Sequence, residues 1–200
     1  MPGFEIIGEE ERAAVNEVFD NGGALFRYGF DFMRNGSFKV VEFEKEFANH
    51  VGMDHGQAVT SGTFALFAIN KALGIGAGDE VITQAFTFVA TVEAIAETGA
   101  TPIVTEVDET LNMDPADLER KITDKTKAIW VVHMLGGPAR MDEILEIGKR
   151  HNIPVLEDTA EAIGAQYGGQ PCGALGYASA FSFDFGKTMT TGEGGMALTN

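Results

Sequence analysis

Apolar and polar positions along the chain fall into two alternating periods. Short runs rich in β-branched residues, such as Glu80-Val81-Ile82-Thr83, Pro102-Ile103-Val104-Thr105, Lys127-Ala128-Ile129-Trp130-Val131-Val132 and Ile153–Leu156, read as buried strands. Between them lie segments of helical period at 62–73, 87–97 and 140–151, and a further helix opened by Asp114-Pro115 as N-cap and first-turn proline. Gly74 and Gly99 stand where C-caps are needed. Gln57–Val59, Ala178–Phe183 and Met196–Thr199 add three more strands. Strand and helix in alternation predict an α/β domain, a mostly parallel sheet flanked by helices.

Ahead of this pattern, residues 8–20 read as an amphipathic helix with Glu9, Glu10 and Glu11 in its first turn. Asn21–Ser37 is an ordered loop without a period, and 38–50 a helix with Val40, Phe43 and Phe47 on one face. Residues 1–37 are therefore an N-terminal helix and loop, and 38–200 the large domain. The chain stops just after a strand, with no closing helix, so a fragment of a longer protein is expected.

Composition narrows the function classes. A hydrophobic share of 44% and a charged share of 22% suit a soluble globular protein. A net charge of −16 argues against a nucleic-acid partner and against adsorption to anionic lipid. No signal peptide or membrane-spanning run is apparent. Cys172 is the single cysteine, which excludes an intrachain disulfide and suits a reducing cytoplasm. It sits in a turn-like stretch with no base nearby, a poor nucleophile.

The candidate chemistry lies in three places. Lys187 stands alone between the aromatic segment Phe181–Phe185 and the glycine-rich turn Thr191-Gly192-Glu193-Gly194-Gly195. Asp158 ends the apolar run through Val155-Leu156-Glu157, at the carboxyl end of a strand, where open α/β sheets collect ligands. Ser61-Gly62-Thr63 opens a helix, either as an anion site or as an ordinary cap. An amine for a Schiff base, a carboxylate for a pyridinium nitrogen and a phosphate cradle together make a pyridoxal phosphate site. Asp158 as a cap for the following segment is the alternative. Glu161, one helical turn on, is placed to face the same site, and Phe88 to stack on a flat ring. His133 reads equally as a neighbour of the site or as a hydrogen-bonded structural histidine. His50 and His55 lack a third ligand, so no metal site is expected. The glycines of 74–79 follow a helix and precede a strand, the reverse of a dinucleotide fingerprint, and read as a turn.

With these residues placed, the chain resembles the large domain of the DegT/DnrJ/EryC1/StrS family of sugar aminotransferases. The likeness runs through Phe43–Ala48, Ser61–Leu66, Gly76–Ile82, Ala85–Thr91, Gly99–Pro102, Glu157-Asp158 and Ser182–Gly195, in the right order over most of 38–200. It implies a fold-type I pyridoxal-phosphate-dependent transaminase. Lys187 would then be the Schiff-base lysine and proton carrier, and Asp158 the partner of the ring nitrogen. Phe88 would stack on the ring, Gly62, Thr63 and Ser182 would bind phosphate, and Glu161 would lie near the phenolic oxygen, where many members have glutamine. It also implies glutamate as amino donor, a keto-sugar acceptor, often nucleotide-linked, and a homodimer with sites at the interface. The loop Leu25–Gly36 is similar to that of a branch that forms 8-amino-3,8-dideoxy-octulosonate for surface polysaccharide. On that reading Arg27 or Arg34 pairs with a substrate carboxylate. A structural loop with surface arginines is the alternative. A sugar dehydratase, which carries histidine at the lysine position, and a noncatalytic sugar-nucleotide-binding protein are the rival readings.

Overall fold

A computed structural model describes residues 2–200. Helices α1 (Glu9–Asp20) and α2 (Lys39–Val51) lead into an alternating series. It runs β1 (His55–Val59), α3 (Gly62–Ala72), β2 (Glu80–Gln84), α4 (Val89–Ala96), β3 (Thr101–Thr105), α5 (Pro115–Lys121), β4 (Thr126–Val132), α6 (Met141–His151) and β5 (Val155–Asp158). A hairpin of β6 (Gln166–Tyr167) and β7 (Gln170–Pro171) precedes β8 (Ala178–Ser182) and β9 (Gly195–Thr199). The main sheet has the order β1-β9-β8-β5-β4-β2-β3. Only β9 runs against its neighbours; β8, β5, β4, β2 and β3 pair in parallel, and β1, antiparallel to β9, points the same way.

Strand period two explains the layers. Val81, Ala128, Trp130 and Leu156 face α3 and α4, while Ile82, Ile129, Val131 and Val155 face α5 and α6. A third cluster packs Phe47, Ala48 and Val51 of α2 against Phe181, Phe183, Met196 and Leu198, with the Phe47 ring edge-on to both phenylalanines. Asn70 crosses the first layer. Its Oδ1 accepts the Trp130 indole N–H at 2.8 Å and its Nδ2 donates to the Ala94 carbonyl at 3.1 Å, all buried.

The differences from the sequence reading have local causes. The fourth helix starts at Val89, not 87, because Phe88 is its extended N-cap. Strand β5 begins and ends two residues later than predicted, since its ladder with β4 runs from Ile129↔Val155 to Val132↔Asp158. The buried face of α2 is Glu44, Phe47, Ala48 and Val51, and Val40 is exposed. Glu44 is drawn inside by donors from Arg27, Gln57 and the Ala58 main chain. The β6–β7 hairpin, with Gly168 and Gly169 both at positive φ, was read only as a turn, because two residues per strand show no alternation. Among the described residues no helix is long and apolar enough to cross a membrane.

Replacing Asn70 by leucine leaves the Trp130 N–H and the Ala94 carbonyl buried without partners. We expect a loss of about 2 kcal/mol or more, read as a lower urea midpoint with unchanged m-value.

Candidate active site

Because six strands share a direction, their carboxyl ends lie along one edge of the sheet, and β9 starts there. A cavity of about 380 Å³ opens at that edge. It is lined by Gly62, Thr63, Phe88, Asp158, Glu161, Ser182 and Lys187, together with Ser61, Thr87, Met134, Asp184 and Glu193 among others. Seven of the nine residues assigned from the sequence to cofactor or substrate thus meet in one place.

The start of α3 is built by close contact. Ser61 is extended, and its Oγ accepts from the Phe64 N–H at 3.1 Å, so the cap reading holds for Ser61. The following first-turn N–H groups have no helical partner of their own, which leaves them for an anion in the cavity. No side chain fits beneath this turn. A Cβ on Gly62 would lie 2.7 Å from Ser182 Cβ, and one on Gly195 2.4 Å from the Ser61 carbonyl. The Ser182 hydroxyl is thereby held beside the helix start.

Asp158 is buried at the last position of β5. Its Oδ2 accepts from Thr91 Oγ1 at 2.8 Å and its Oδ1 from the Ala160 N–H at 3.1 Å. Burial pushes its carboxyl above the usual range; the bonds from Thr91 and Ala160 and the charge of Lys187 oppose that rise without cancelling it. A cation brought against Asp158 would offset the desolvation. Lys187 sits on the turn between β8 and β9, its Nζ 3.7 Å from Glu161 Oε1. Glu161 Oε2 accepts from the N–H of Leu135, a residue held at φ +54°. Phe88 presents an exposed ring at the mouth.

Glu157, adjacent to Asp158, points to the opposite face and is fully buried. It accepts from His133 Nε2 (2.9 Å) and from the N–H groups of Gly173, Leu175 and Gly176. Since His133 Nδ1 accepts from Ala139 N–H, the Nε2 of a neutral ring carries the proton toward Glu157. His133 is therefore structural. The role of Glu157 was not anticipated, although a charged residue inside an apolar strand was the available signal.

Arg27 and Arg34, expected as substrate contacts, stand apart from the cavity, and neither lines it. Arg27 makes a two-pronged bond to Glu44, both contacts 2.7 Å. Arg34 is buried, donates to the carbonyls of Gly29 and Phe26, and stacks on the rings of Phe26 and Phe38. The loop turns its guanidinium groups toward the Glu44 carboxylate of α2 and toward its own carbonyls, which need donors. Cys172 is buried, and its thiol is pushed up to about 12, mainly by desolvation. Among the described residues no cluster suited to a metal ion occurs.

The cavity fits pyridoxal phosphate: a desolvated carboxylate suits a protonated ring nitrogen, a lysine amine shares the space, and helix-start N–H groups with a hydroxyl suit phosphate. Comparison with known proteins agrees. The model of the DegT/DnrJ/EryC1/StrS aminotransferase family matches residues 5–200. The GDP-perosamine synthase of Caulobacter vibrioides is 49% identical over 162 residues, 80% of this chain and 44% of that protein. The crystal structure of 3-amino-5-hydroxybenzoic acid synthase superposes with a TM-score of 0.91 at 38% identity, over 99% of this chain and 50% of that one. A proposed sugar aminotransferase, Spr1654 of Streptococcus pneumoniae, in its PLP form gives 0.88 at 30% identity, over 100% and 52%. The chain spans about half the length of the curated relatives it matches. The α/β fold expected of a fold-type I pyridoxal-phosphate enzyme's large domain is the fold found.

A carboxyl whose folded pKa is raised binds more protons folded than unfolded, so its ionisation costs stability as pH rises above the ordinary carboxylate range. In cofactor-free protein, Asp158→Asn should remove that cost. The variant should melt higher than the wild type at pH 7–8, with the gap closing toward pH 4, as read by thermal melts across that range.

Proposed function

The chain belongs to the DegT/DnrJ/EryC1/StrS aminotransferase family, and we propose that the whole protein transaminates a keto sugar with pyridoxal phosphate as cofactor and glutamate as amino donor. The observation that carries this is Lys187, Asp158 and the α3 start on one cavity.

When bound, pyridoxal phosphate supplies an electron sink for the carbon that gains or loses the amine. Lys187 holds the cofactor and carries the proton to and from that carbon. Asp158, oriented by Thr91 and Ala160, keeps the ring nitrogen protonated; its desolvation strengthens that pairing. Gly62 and Thr63 N–H groups and the Ser182 hydroxyl receive phosphate. Phe88, at the cavity mouth, would stack on the ring and exclude water from it. Glu161, 3.7 Å from the Lys187 amine, would lie beside the bound group. The proposed assembly is a cytoplasmic homodimer.

For the acceptor, we favour a nucleotide-linked keto sugar over the eight-carbon octulosonate. The engagement of Arg27 with Glu44 and of Arg34 with main-chain carbonyls, both away from the cavity, supports this choice, as does a relative named for a GDP-sugar.

Lys187→Ala should fold normally and lose turnover by roughly 10³-fold or more; normal turnover with glutamate would end the assignment. Asp158→Asn should retain cofactor while kcat falls about 10²- to 10³-fold. A panel of nucleoside-diphosphate keto sugars and octulosonate acceptors, assayed by initial rate, should show preference for the nucleotide-linked set. Preference for the acid sugar, reduced by Arg27→Ala, would reverse the substrate reading.

A further inference from the structure

The turn that carries Lys187 is tied to the opposite end of the sequence, and we propose that Gly3 is a positioning residue that holds it. The inference rests on Lys187 being the residue that holds the cofactor.

The connection between β8 and β9, residues 183–194, is secured at its base. Phe183 N–H donates to Gly194 (2.9 Å), and Thr191 N–H and Thr190 Oγ1 both donate to the Phe183 carbonyl at 3.0 Å. At the tip the bonds are short-range: Gly186 N–H to Asp184 Oδ1 and Lys187 N–H to the Asp184 carbonyl. Gly3 adds a long-range tether, its N–H donating to the Lys187 carbonyl at 2.7 Å. Among the described residues it is the one hydrogen bond from outside 182–194 to the main chain of 185–190. It anchors the very residue whose side chain enters the cavity.

The contact explains why glycine stands at position 3. Its φ is not in the left-handed region, so conformation does not demand glycine; space does. A Cβ there would lie 3.0 Å from the Thr188 carbonyl oxygen and 3.1 Å from both the Lys187 carbonyl oxygen and the Thr190 nitrogen, all main-chain atoms, so the turn would have to give by a few tenths of an ångström. Gly3 is buried although it lies in a four-residue 3₁₀ turn, Gly3–Ile6. The bond from Glu5 N–H to the Pro2 carbonyl closes that turn. Next door, the rings of Phe4 and Phe185 lie 5.6 Å apart, each shielding part of an otherwise exposed apolar surface.

A lysine on a loose turn must be ordered each time it meets its ligand, and a preformed turn avoids that entropic cost. The Gly3 strap thus acts on Lys187 through the backbone. It touches neither cofactor nor substrate.

The test uses the full-length protein with Gly3→Val, which breaks the contact, and with Phe4→Ala and Phe4→Leu, which grade the ring contact. Two quantities are measured: amide hydrogen exchange of cofactor-free protein by peptide, and the rate of pyridoxal phosphate release from loaded protein. We expect Gly3→Val to speed exchange in 185–190 by roughly fivefold, the worth of one hydrogen bond, with β4 peptides unchanged. Release should accelerate by a similar factor. Phe4→Ala should have a smaller effect that Phe4→Leu largely restores. Unchanged tip exchange in folded Gly3→Val and Phe4→Ala proteins overturns the strap. So does acceleration spread evenly over the sheet, or faster tip exchange with unaltered release. Wild-type protein that takes up no pyridoxal phosphate would refute the functional reading instead, leaving tip exchange to report on the tether alone.

Discussion

The site depends on a contact that admits no side chain. The Ser61–Gly62 turn rests on the end of β8 and the start of β9 so closely that a Cβ at Gly62 or Gly195 would overlap its neighbours by about an ångström. This contact joins parts of the chain remote in sequence: β1 and α3 on one side, the two strands flanking the Lys187 turn on the other. It also fixes the height of the α3 N-terminus relative to Ser182. Were the helix lifted by one methyl group, its free N–H groups and the hydroxyl would no longer converge on one anion. The antiparallel strand β9 is what makes the arrangement possible. Its N-terminal residue, Gly195, arrives at the edge where the other strands end, and pairs with Val59 of β1 and Ser182 of β8.

The second constraint is the pair of adjacent carboxylates at the end of β5. Period two sends Glu157 and Asp158 to opposite faces of the sheet. Glu157 meets four donors and serves the fold, holding the 173–176 loop to the sheet. Asp158 meets two, and its carboxyl is pushed upward by burial that those donors do not offset. Two chemically similar neighbours therefore differ in how completely the protein satisfies them. The incomplete one faces the cavity, where a cationic ring nitrogen would complete it. Stability is given up at Asp158 so that binding can recover it.

Much of this was legible in sequence because the governing signals are local. Strands β2 to β4 announce themselves by β-branched runs, α5 by Asp114-Pro115, and the Lys187 turn by its glycines. Asp158 is legible because carboxyl ends of parallel strands converge, Lys187 because it stands alone before a glycine-rich turn, and the α3 start because Ser61-Gly62-Thr63 opens a helix. What sequence could not supply were contacts set by distant partners. Glu44 was placed on no face because its burial depends on Arg27 and Gln57. The same bond engages Arg27 away from the cavity, and a free arginine and one already matched to a carboxylate look alike in one dimension. Gly3 carries no motif at all; its requirement is a gap of one Cβ against Lys187, Thr188 and Thr190.

Charge gives these steric constraints their functional weight. Asp158, Glu161, Asp184 and Glu193 line the cavity, against Lys187 as its one side-chain cation among the described residues. A phosphate group entering such a space gains little from net charge, because the lining is itself acidic. Its attraction comes from the α3 start, where aligned peptide dipoles and unpaired N–H groups act at short range. That attraction falls steeply with misplacement. An arginine can follow a displaced phosphate by turning its side chain, but a helix N-terminus can do so only by moving the helix. On the proposed reading, phosphate affinity in this acidic chain would rest on main-chain position, and main-chain position rests on the glycines that let α3 sit down on β8 and β9.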